Sequence, residues 1–481
     1  MSSSPIIVWF RESLRLSDHP ALYTAAMSGT PIVCSYVYDQ ESPALRSLGG
    51  ATRWWLAQSL RALQGELHTL GVELVIRRGP AAKVIGALAR ETNAGAVYWN
   101  DVAQAEPRAV AADVEVALDA IDVKSRVFAD DLLVDPAELR GKEGRGPRVF
   151  TPFWKRVLAL GDPPKPLPIP ARLSSPPGVA SLAIDELGLE PTRPDWAGGL
   201  RATWQAGERA AQERLGKFLE TAVRSYAADR DRPDIDATSR MSPHLRFGEI
   251  SPRQIWHAAR FAAEEHPAFA RGIEKFLSEL GWREFSRHLL YNNPDLATRN
   301  LQASFDAFPW AQNDAALQAW QRGRTGYPIV DAGMRELWHT GSMHNRVRMV
   351  AASLLVKHLL IDWRLGEQWF WDTLVDADPG SNPASWQWVA GSGADAAPYF
   401  RVFNPVLQGE KFDSNGTYVR RWVPELARLP ASLIHQPWAA KPLELAEAGV
   451  ALGRSYPAPI VEHRHGRERA LAAYASLRTS D

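Results

Sequence analysis

Residues 376–413, DADPGSNPASWQWVAGSGADAAPYFRVFNPVLQGEKFD, gather two closely spaced carboxylates, an amide and two tryptophans among glycines and prolines, with neither helical nor strand periodicity. Asp376, Asp378 and Asn382 place acceptors and an amide at short spacing, while Trp386 and Trp388 flank Gln387. Polar groups able to hold a ring system thus lie beside oxidisable aromatics, which is the chemistry a redox cofactor needs. The segment reads as a loop. Its local features alone also allow a plain surface loop whose Asp and Asn make turns and whose tryptophans cap a core.

Three further stretches carry similar potential. In residues 226–254, YAADRDRPDIDATSRMSPHLRFGEISPRQ, Ser242-Pro243 and Ser251-Pro252 each read as an N-cap followed by proline, and Gln254 completes a capping box with Ser251. Free N–H groups at a helix start beside Thr238, Ser239, Arg240 and Ser242 would suit a pyrophosphate, and ordinary capping fits equally well. In EKFLSELGWREFSRHLL, Glu279, Trp282, Arg283 and Ser286 share one helical face. A carboxylate that accepts from base N–H groups and an indole that stacks could hold a base taken out of a duplex; periodicity alone favours an exposed stripe with a surface ion pair. In GSMHNRVRM, residues 341–349, Ser342, Asn345 and Met349 fall on one face of an expected helix, with Arg346 and Arg348 elsewhere. One element could then offer an amide to a cofactor and a cation to phosphate.

The scaffold for these groups is legible in outline. Apolar β-rich runs at 6–10, 32–38, 72–77 and 95–99 alternate with amphipathic stretches such as 53–70 and 81–92, which predicts an α/β parallel-sheet domain over 1–130. Residues 131–200 form an irregular linker, with seven prolines between 161 and 178. From 201 to 481 the periodicity is helical, with helices expected at 208–219, 252–263, 273–291, 315–322, 330–339, 343–360 and 367–374. With 55 basic and 55 acidic residues the chain is no polycation, so a nucleic-acid surface must be a local patch. The single cysteine, Cys34, excludes an internal disulfide. MSSSPIIVWF lacks a basic n-region and no run of eighteen apolar residues occurs, so a cytoplasmic enzyme of two or three domains without membrane spans is expected. Fourteen of nineteen tryptophans follow residue 195, and most of them are expected to pack the core.

The motifs together closely resemble the DNA photolyase and cryptochrome family. Its opening signature is matched by WFRESLRLSDHPAL at 9–22, and its sequence ahead of the linker by VFTPFWKRVL at 149–158. Tyr226 to Ser242, the FLSELGWREF run, GSMHNRVRM, and the elements Ala394 to Arg401 and Phe403 to Asp413 match in turn. The resemblance implies an α/β antenna-binding domain followed by an all-α FAD-binding domain. It implies FAD contacts from Tyr226, Thr238, Ser239, Arg240, Met241, Ser242, Phe276, Arg283, Asn345, Arg348, Asp376, Asp378 and Asn382, with Arg348 paired to Asp376 and Asn382 beside the flavin's reactive nitrogen. Glu279, Trp282, Asn345 and Met349 would line the lesion pocket; Arg230, Arg346, Arg401 and Lys411 would face DNA; and Trp310, Trp363 and Trp386 would relay electrons from the surface to the flavin. Without the resemblance those three tryptophans read as core.

The implied activity is light-driven repair of cyclobutane pyrimidine dimers in DNA, as in the class I or class III branch, by a monomer that carries FAD and a second antenna chromophore, methenyltetrahydrofolate in preference to a deazaflavin. The alternative is a cryptochrome-like photoreceptor that signals through a protein partner. Asn382, where plant receptors tend to carry aspartate and animal ones cysteine, and the absence of a long polar tail weigh against it.

Overall fold

Strands Ile6–Phe10 (β1), Ile32–Tyr38 (β2), Leu74–Arg78 (β3), Ala96–Asn100 (β4) and Lys124–Phe128 (β5) pair in parallel, in the order β3-β2-β1-β4-β5. The computed structural model describes residues 4–43, 45–130, 132–140, 146–395 and 400–478. β1 sits at the centre, with Ile6 opposite both Ile32 of β2 and Ala96 of β4. All five of its residues are buried, as expected of a parallel strand covered on both faces by crossover helices. Those helices are Pro20–Met27, Gly50–Thr69, Ala81–Thr92 and Ala105–Asp119. One core lies where Ile7, Trp9, Val33, Val97 and Trp99 meet Ile85 and Leu88, with Trp9 and Trp99 edge to face at 5.8 Å. The first four strands fall within two residues of their expected positions. β5 escapes the sequence pattern because this edge strand, KSRVF, has no buried apolar run: Lys124, Arg126 and Val127 are exposed, whereas β3, at the other edge, buries Leu74, Val75 and Ile76.

Contacts divide the chain into two compact units. The first contains Met1–Ala197, Trp204–Arg224 and Ser239–Pro294; the second contains Gly198–Thr203, Ser225–Thr238 and Asp295–Asp481. Helices Glu208–Glu220, Pro252–Glu265 and Ala270–Asn292 therefore group with the sheet, a division that differs from boundaries drawn at 130 and 200 on composition. The proline-rich run is tied to the same unit: Asp18 N donates to Leu167 O at 2.8 Å and Ile32 N to Ser174 O at 2.7 Å.

The second unit is helical throughout its named elements. Its core holds Trp320, Tyr327, Trp363, Phe370, Trp386, Tyr418 and Tyr456. Two expectations need correction here. The continuous helix expected over 343–360 begins at Asn345, runs as an α-helix to Ser353, and widens into a π turn over Leu354–His358. Gly341, at φ 67°, ends the preceding helix Pro328–Thr340, so Ser342 lies in the connection and shares no helical face with Asn345 and Met349. The stretch 376–413, read as a loop, contains helices Ser381–Ala390 and Pro405–Phe412. The first lacks an apolar stripe because it is buried with polar residues as well as apolar ones: Asn382 and Gln387 as well as Pro383, Trp386, Val389 and Ala390. Among the described residues no helix is long and apolar enough to cross a membrane.

Candidate functional site

In the second unit, residues 374–380 lead into Ser381–Ala390 and bring the paired carboxylates into fixed roles. Arg348 Nη2 donates to both oxygens of Asp376, at 3.1 and 3.0 Å, and Arg348 Nε donates to Met343 O at 2.7 Å. One nitrogen thus serves both carboxylate oxygens while another is spent on backbone, and Asp376 is only 9% exposed. Asp378 Oδ1 accepts from Gly380 N and Ser381 N at 2.9 and 2.7 Å, so this carboxylate caps the following helix. Asn382 Nδ2 donates to Glu367 O at 3.1 Å and to Glu367 Oε1 at 2.8 Å. That pair fixes the amide's orientation and directs its hydrogens to Glu367, leaving the carbonyl oxygen as an acceptor for a ring N–H.

Asn345 opens the next helix and is exposed, and Met349 stands one turn along, partly buried. His344 caps this helix through Nδ1, which accepts from Arg346 N at 3.2 Å; burial lowers its pKa to about 4, so the ring is neutral at pH 7. Arg346 is held by Asp231 at 2.7 Å and lies 4.5 Å from the centre of the Phe412 ring. Arg230 rests on the ring of Tyr226 at 5.6 Å. Lys411 and Arg401 are exposed. Of the Ala394 to Arg401 element, residues 396–399 lie outside the described residues.

The three tryptophans of the implied relay all belong to this unit. Trp386 is 2% exposed, with its ring 5.0 Å from Phe370 and 6.0 Å from Trp320. Trp363 is fully buried and donates Nε1–H to Asn300 Oδ1 at 3.0 Å. Trp310 is partly exposed and packs 4.3 Å from Phe308. The burial gradient puts Trp310 nearest solvent.

In the first unit, helix Ala270–Asn292 carries the second constellation. Glu279 pairs with Lys275 Nζ at 2.9 Å, and Arg283 Nη1 pairs with Glu284 Oε1 at 2.8 Å. The Trp282 ring is partly exposed and stacks on Phe150 at 3.8 Å, and Phe276 is buried against Phe218 at 4.8 Å. Ser286 departs from the expected exposed stripe: it is buried and donates to Trp282 O. Ser251 caps its helix with Gln254 as the sequence predicts. Ser242 instead is the first residue of the short helix Ser242–Arg246, whose N-cap position is taken by Met241. Met241 is 3% exposed, and Arg240, in the left-handed region at φ 54°, lies over Trp204 at 4.8 Å. Thr238 and Ser239 are partly buried.

Sequence reasoning passed over Glu367, Asp231 and the capping role of His344. Each acts through a partner distant in sequence or through backbone, which no periodicity reveals. Among the described residues, no cluster of histidine, cysteine or carboxylate side chains could hold a metal.

Comparison with known proteins gives these features a context. A model described as the FAD binding domain of DNA photolyase matches residues 276–476, and one described as DNA photolyase matches residues 6–171. A deoxyribodipyrimidine photo-lyase of Agrobacterium fabrum is 48% identical over 483 residues, 99% of either chain. Cryptochrome-1 of Arabidopsis thaliana is 38% identical over 98% of this chain and 70% of its own length. The crystal structure of a bacterial class III photolyase from Agrobacterium tumefaciens superposes with a TM-score of 0.96 at 47% identity, covering 100% of this chain and 98% of that one. The chain belongs to the DNA photolyase and cryptochrome family.

Proposed function

We propose that this protein repairs cyclobutane pyrimidine dimers in DNA with blue light, as a deoxyribodipyrimidine photolyase. The observation that carries the reading is the end-to-end similarity to a deoxyribodipyrimidine photo-lyase, at 48% identity over 99% of both chains. The side-chain chemistry supports it. The Arg348–Asp376 ion pair and an amide oriented by Glu367 form a donor and acceptor set suited to the edge of a flavin ring.

FAD would be held by Tyr226, Thr238, Ser239, Arg240, Met241, Ser242, Phe276, Arg283, Asn345, Arg348, Asp376, Asp378 and Asn382. Reduced FAD, when bound, supplies the light-driven electron that splits the dimer. The chain's own residues bind and orient. Asn382 presents its oxygen to the ring, and Asp376 accepts from the Arg348 guanidinium. Trp282 offers a stacking face to a base pair removed from the duplex, and Glu279 accepts from base N–H groups. Asn345 and Met349 are further candidates for contact with the lesion. Arg230, Arg346, Arg401 and Lys411 contribute phosphate contacts, which position the strand without reading its sequence. Trp310, Trp363 and Trp386 pass electrons inward from solvent. The protein works as a cytoplasmic monomer with a second antenna chromophore, methenyltetrahydrofolate in preference to a deazaflavin.

The second reading is a blue-light receptor that signals through a protein partner, favoured by the 38% identity to a plant cryptochrome. One experiment separates the two. Reduced, FAD-loaded protein is mixed with a thymine-dimer oligonucleotide under blue light and in the dark, and dimer loss is followed. Light-dependent loss supports the enzyme; no loss with fully reduced FAD present overturns that reading in favour of the receptor.

A further inference from the structure

We propose that Phe150 is a positioning residue for dimer binding, fixing the plane of the Trp282 ring so that its opposite face is presented to a flat base. The inference rests on the repair function proposed above and adds a residue to the same site.

Phe150 and Trp282 come from different elements of the first unit, helices Phe150–Ala159 and Ala270–Asn292. Their rings stack with centroids 3.8 Å apart and planes 6° from parallel. That contact is closer and flatter than the usual buried aromatic pair, which prefers offset or edge-on geometry at 4.5–7 Å. Trp154, one turn further along the first helix, is also near parallel to Phe150, at 6.3 Å and 11°. Three rings, Trp154, Phe150 and Trp282, thus lie in nearly parallel planes, while Phe285 meets the edge of Trp282 at 5.9 Å and 78°. The indole is gripped from one face and from one edge.

The backbone is built for this approach. At Gly281, the residue before Trp282, an added Cβ would stand 2.6 Å from Trp154 Cε3 and 2.8 Å from Cζ3. Only glycine lets the two helices come close enough for the ladder to form. Phe153, on the same helix as Phe150, packs 5.2 Å from Phe285 and anchors the contact from below.

An indole on a partly exposed helical face has χ1 and χ2 freedom to lose when a base stacks on it. With Phe150 already parallel to it, that freedom is spent in folding, and a base finds a ring held in a fixed plane. A larger or flatter residue is not needed at 150; what is needed is an aromatic plane. Phe150 makes no claim on the reacting atoms, so its effect belongs in binding, not in the light-driven step.

The test uses full-length, FAD-loaded protein with three substitutions, Phe150→Leu, Phe150→Tyr and Trp282→Leu, and the double variant. Dissociation constants are measured for a thymine-dimer oligonucleotide and for its undamaged twin, with repair yield per absorbed photon at saturating substrate. Phe150→Leu should weaken dimer binding by roughly threefold to tenfold, the range that one aromatic pair is worth. Affinity for undamaged DNA and saturated repair yield should be unchanged, and Phe150→Tyr should bind as wild type. In the Trp282→Leu background, Phe150→Leu should have no further effect, because its partner is gone. Equal dimer affinity in Phe150→Leu and wild type would overturn the inference, as would equal weakening for damaged and undamaged DNA or full additivity in the double variant. If Phe150→Leu fails to fold, weakened dimer binding by Phe150→Tyr, which keeps the ring, overturns it as well. A wild-type protein that prefers no dimer and repairs none would instead remove the function on which it rests.

Discussion

Replacing Gly366 by alanine tests the packing of the relay against the strongest local argument for the opposite outcome. Gly366 sits inside helix Trp363–Thr373, where alanine should be favoured by about 1 kcal/mol on backbone grounds. The added Cβ would stand 2.2 Å from Trp386 Cη2, 2.5 Å from Cζ3 and 2.7 Å from Leu355 Cδ2. Carbon atoms settle at about 3.5–4.0 Å, so the indole must retreat by roughly 1 Å or more. Phe370 and Trp320 wall the ring at 5.0 and 6.0 Å and leave it nowhere to go without disturbing the core. Overpacking of this kind costs about 1–3 kcal/mol, which outweighs the helical gain. Thermal denaturation should therefore shift down by a few degrees. Blue-light reduction of oxidised FAD with an external thiol, followed by absorbance, should slow because Trp386 is displaced. Dimer repair by chemically reduced protein should persist, since it does not use the relay. A variant that is stabilised and photoreduces at the wild-type rate would refute both the packing and the role given to Trp386.

Three other perturbations follow from the same geometry. Glu279→Ala should keep FAD and lower repair yield under blue light; its ion pair with Lys275 is partly exposed and worth about 1 kcal/mol or less, so melting should barely move. Unchanged yield would count against Glu279 as a dimer contact. Arg348→Met removes the guanidinium from a carboxylate residue that is 9% exposed. Because the arginine side chain is itself 25% exposed, the loss should be about 2–3 kcal/mol, below that of a fully buried pair, with FAD per chain falling in parallel. Urea midpoints and flavin absorbance check both. His358, hydrogen-bonded to His463 at 2.8 Å, is held at about 4 by burial, against about 6.5 unfolded. As pH falls the unfolded chain takes this proton first, so stability should drop between pH ~6.5 and ~4, by up to roughly 3 kcal/mol from this group. His358→Asn should flatten that part of the urea-midpoint profile, and an identical slope would show that other groups govern it.

What the sequence displayed and what it concealed divide along physical lines. Strands β1, β2 and β4 were legible because a parallel sheet buried on both faces writes itself as apolar runs, and β3, though at an edge, because Leu74, Val75 and Ile76 are buried. β5 was not, because at its edge the strand KSRVF is largely exposed and carries charges in place of that run. The Ser251–Gln254 cap was legible because its partners are three residues apart, whereas Ser242 fooled the same rule: the chain turns one residue earlier, at Met241. The helix Ser381–Ala390 hid because amphipathic periodicity marks a boundary between core and water, and this helix has polar residues on its buried side. Gln387 shows why. Its Oε1 accepts from Leu301 N at 2.8 Å, and its Nε2 donates to Leu296 O and Arg299 O, both at 2.8 Å. A fully buried amide is tolerable only with such partners, and all three lie more than eighty positions away. Asn382 and Glu367 repeat the pattern at a separation of fifteen. Local spacing can nominate a polar residue for chemistry, but the partner that fixes its orientation is chosen by the fold. The residues that orient Asn382 and Arg346 thus had to be read from three dimensions, though the residues they serve were visible in one.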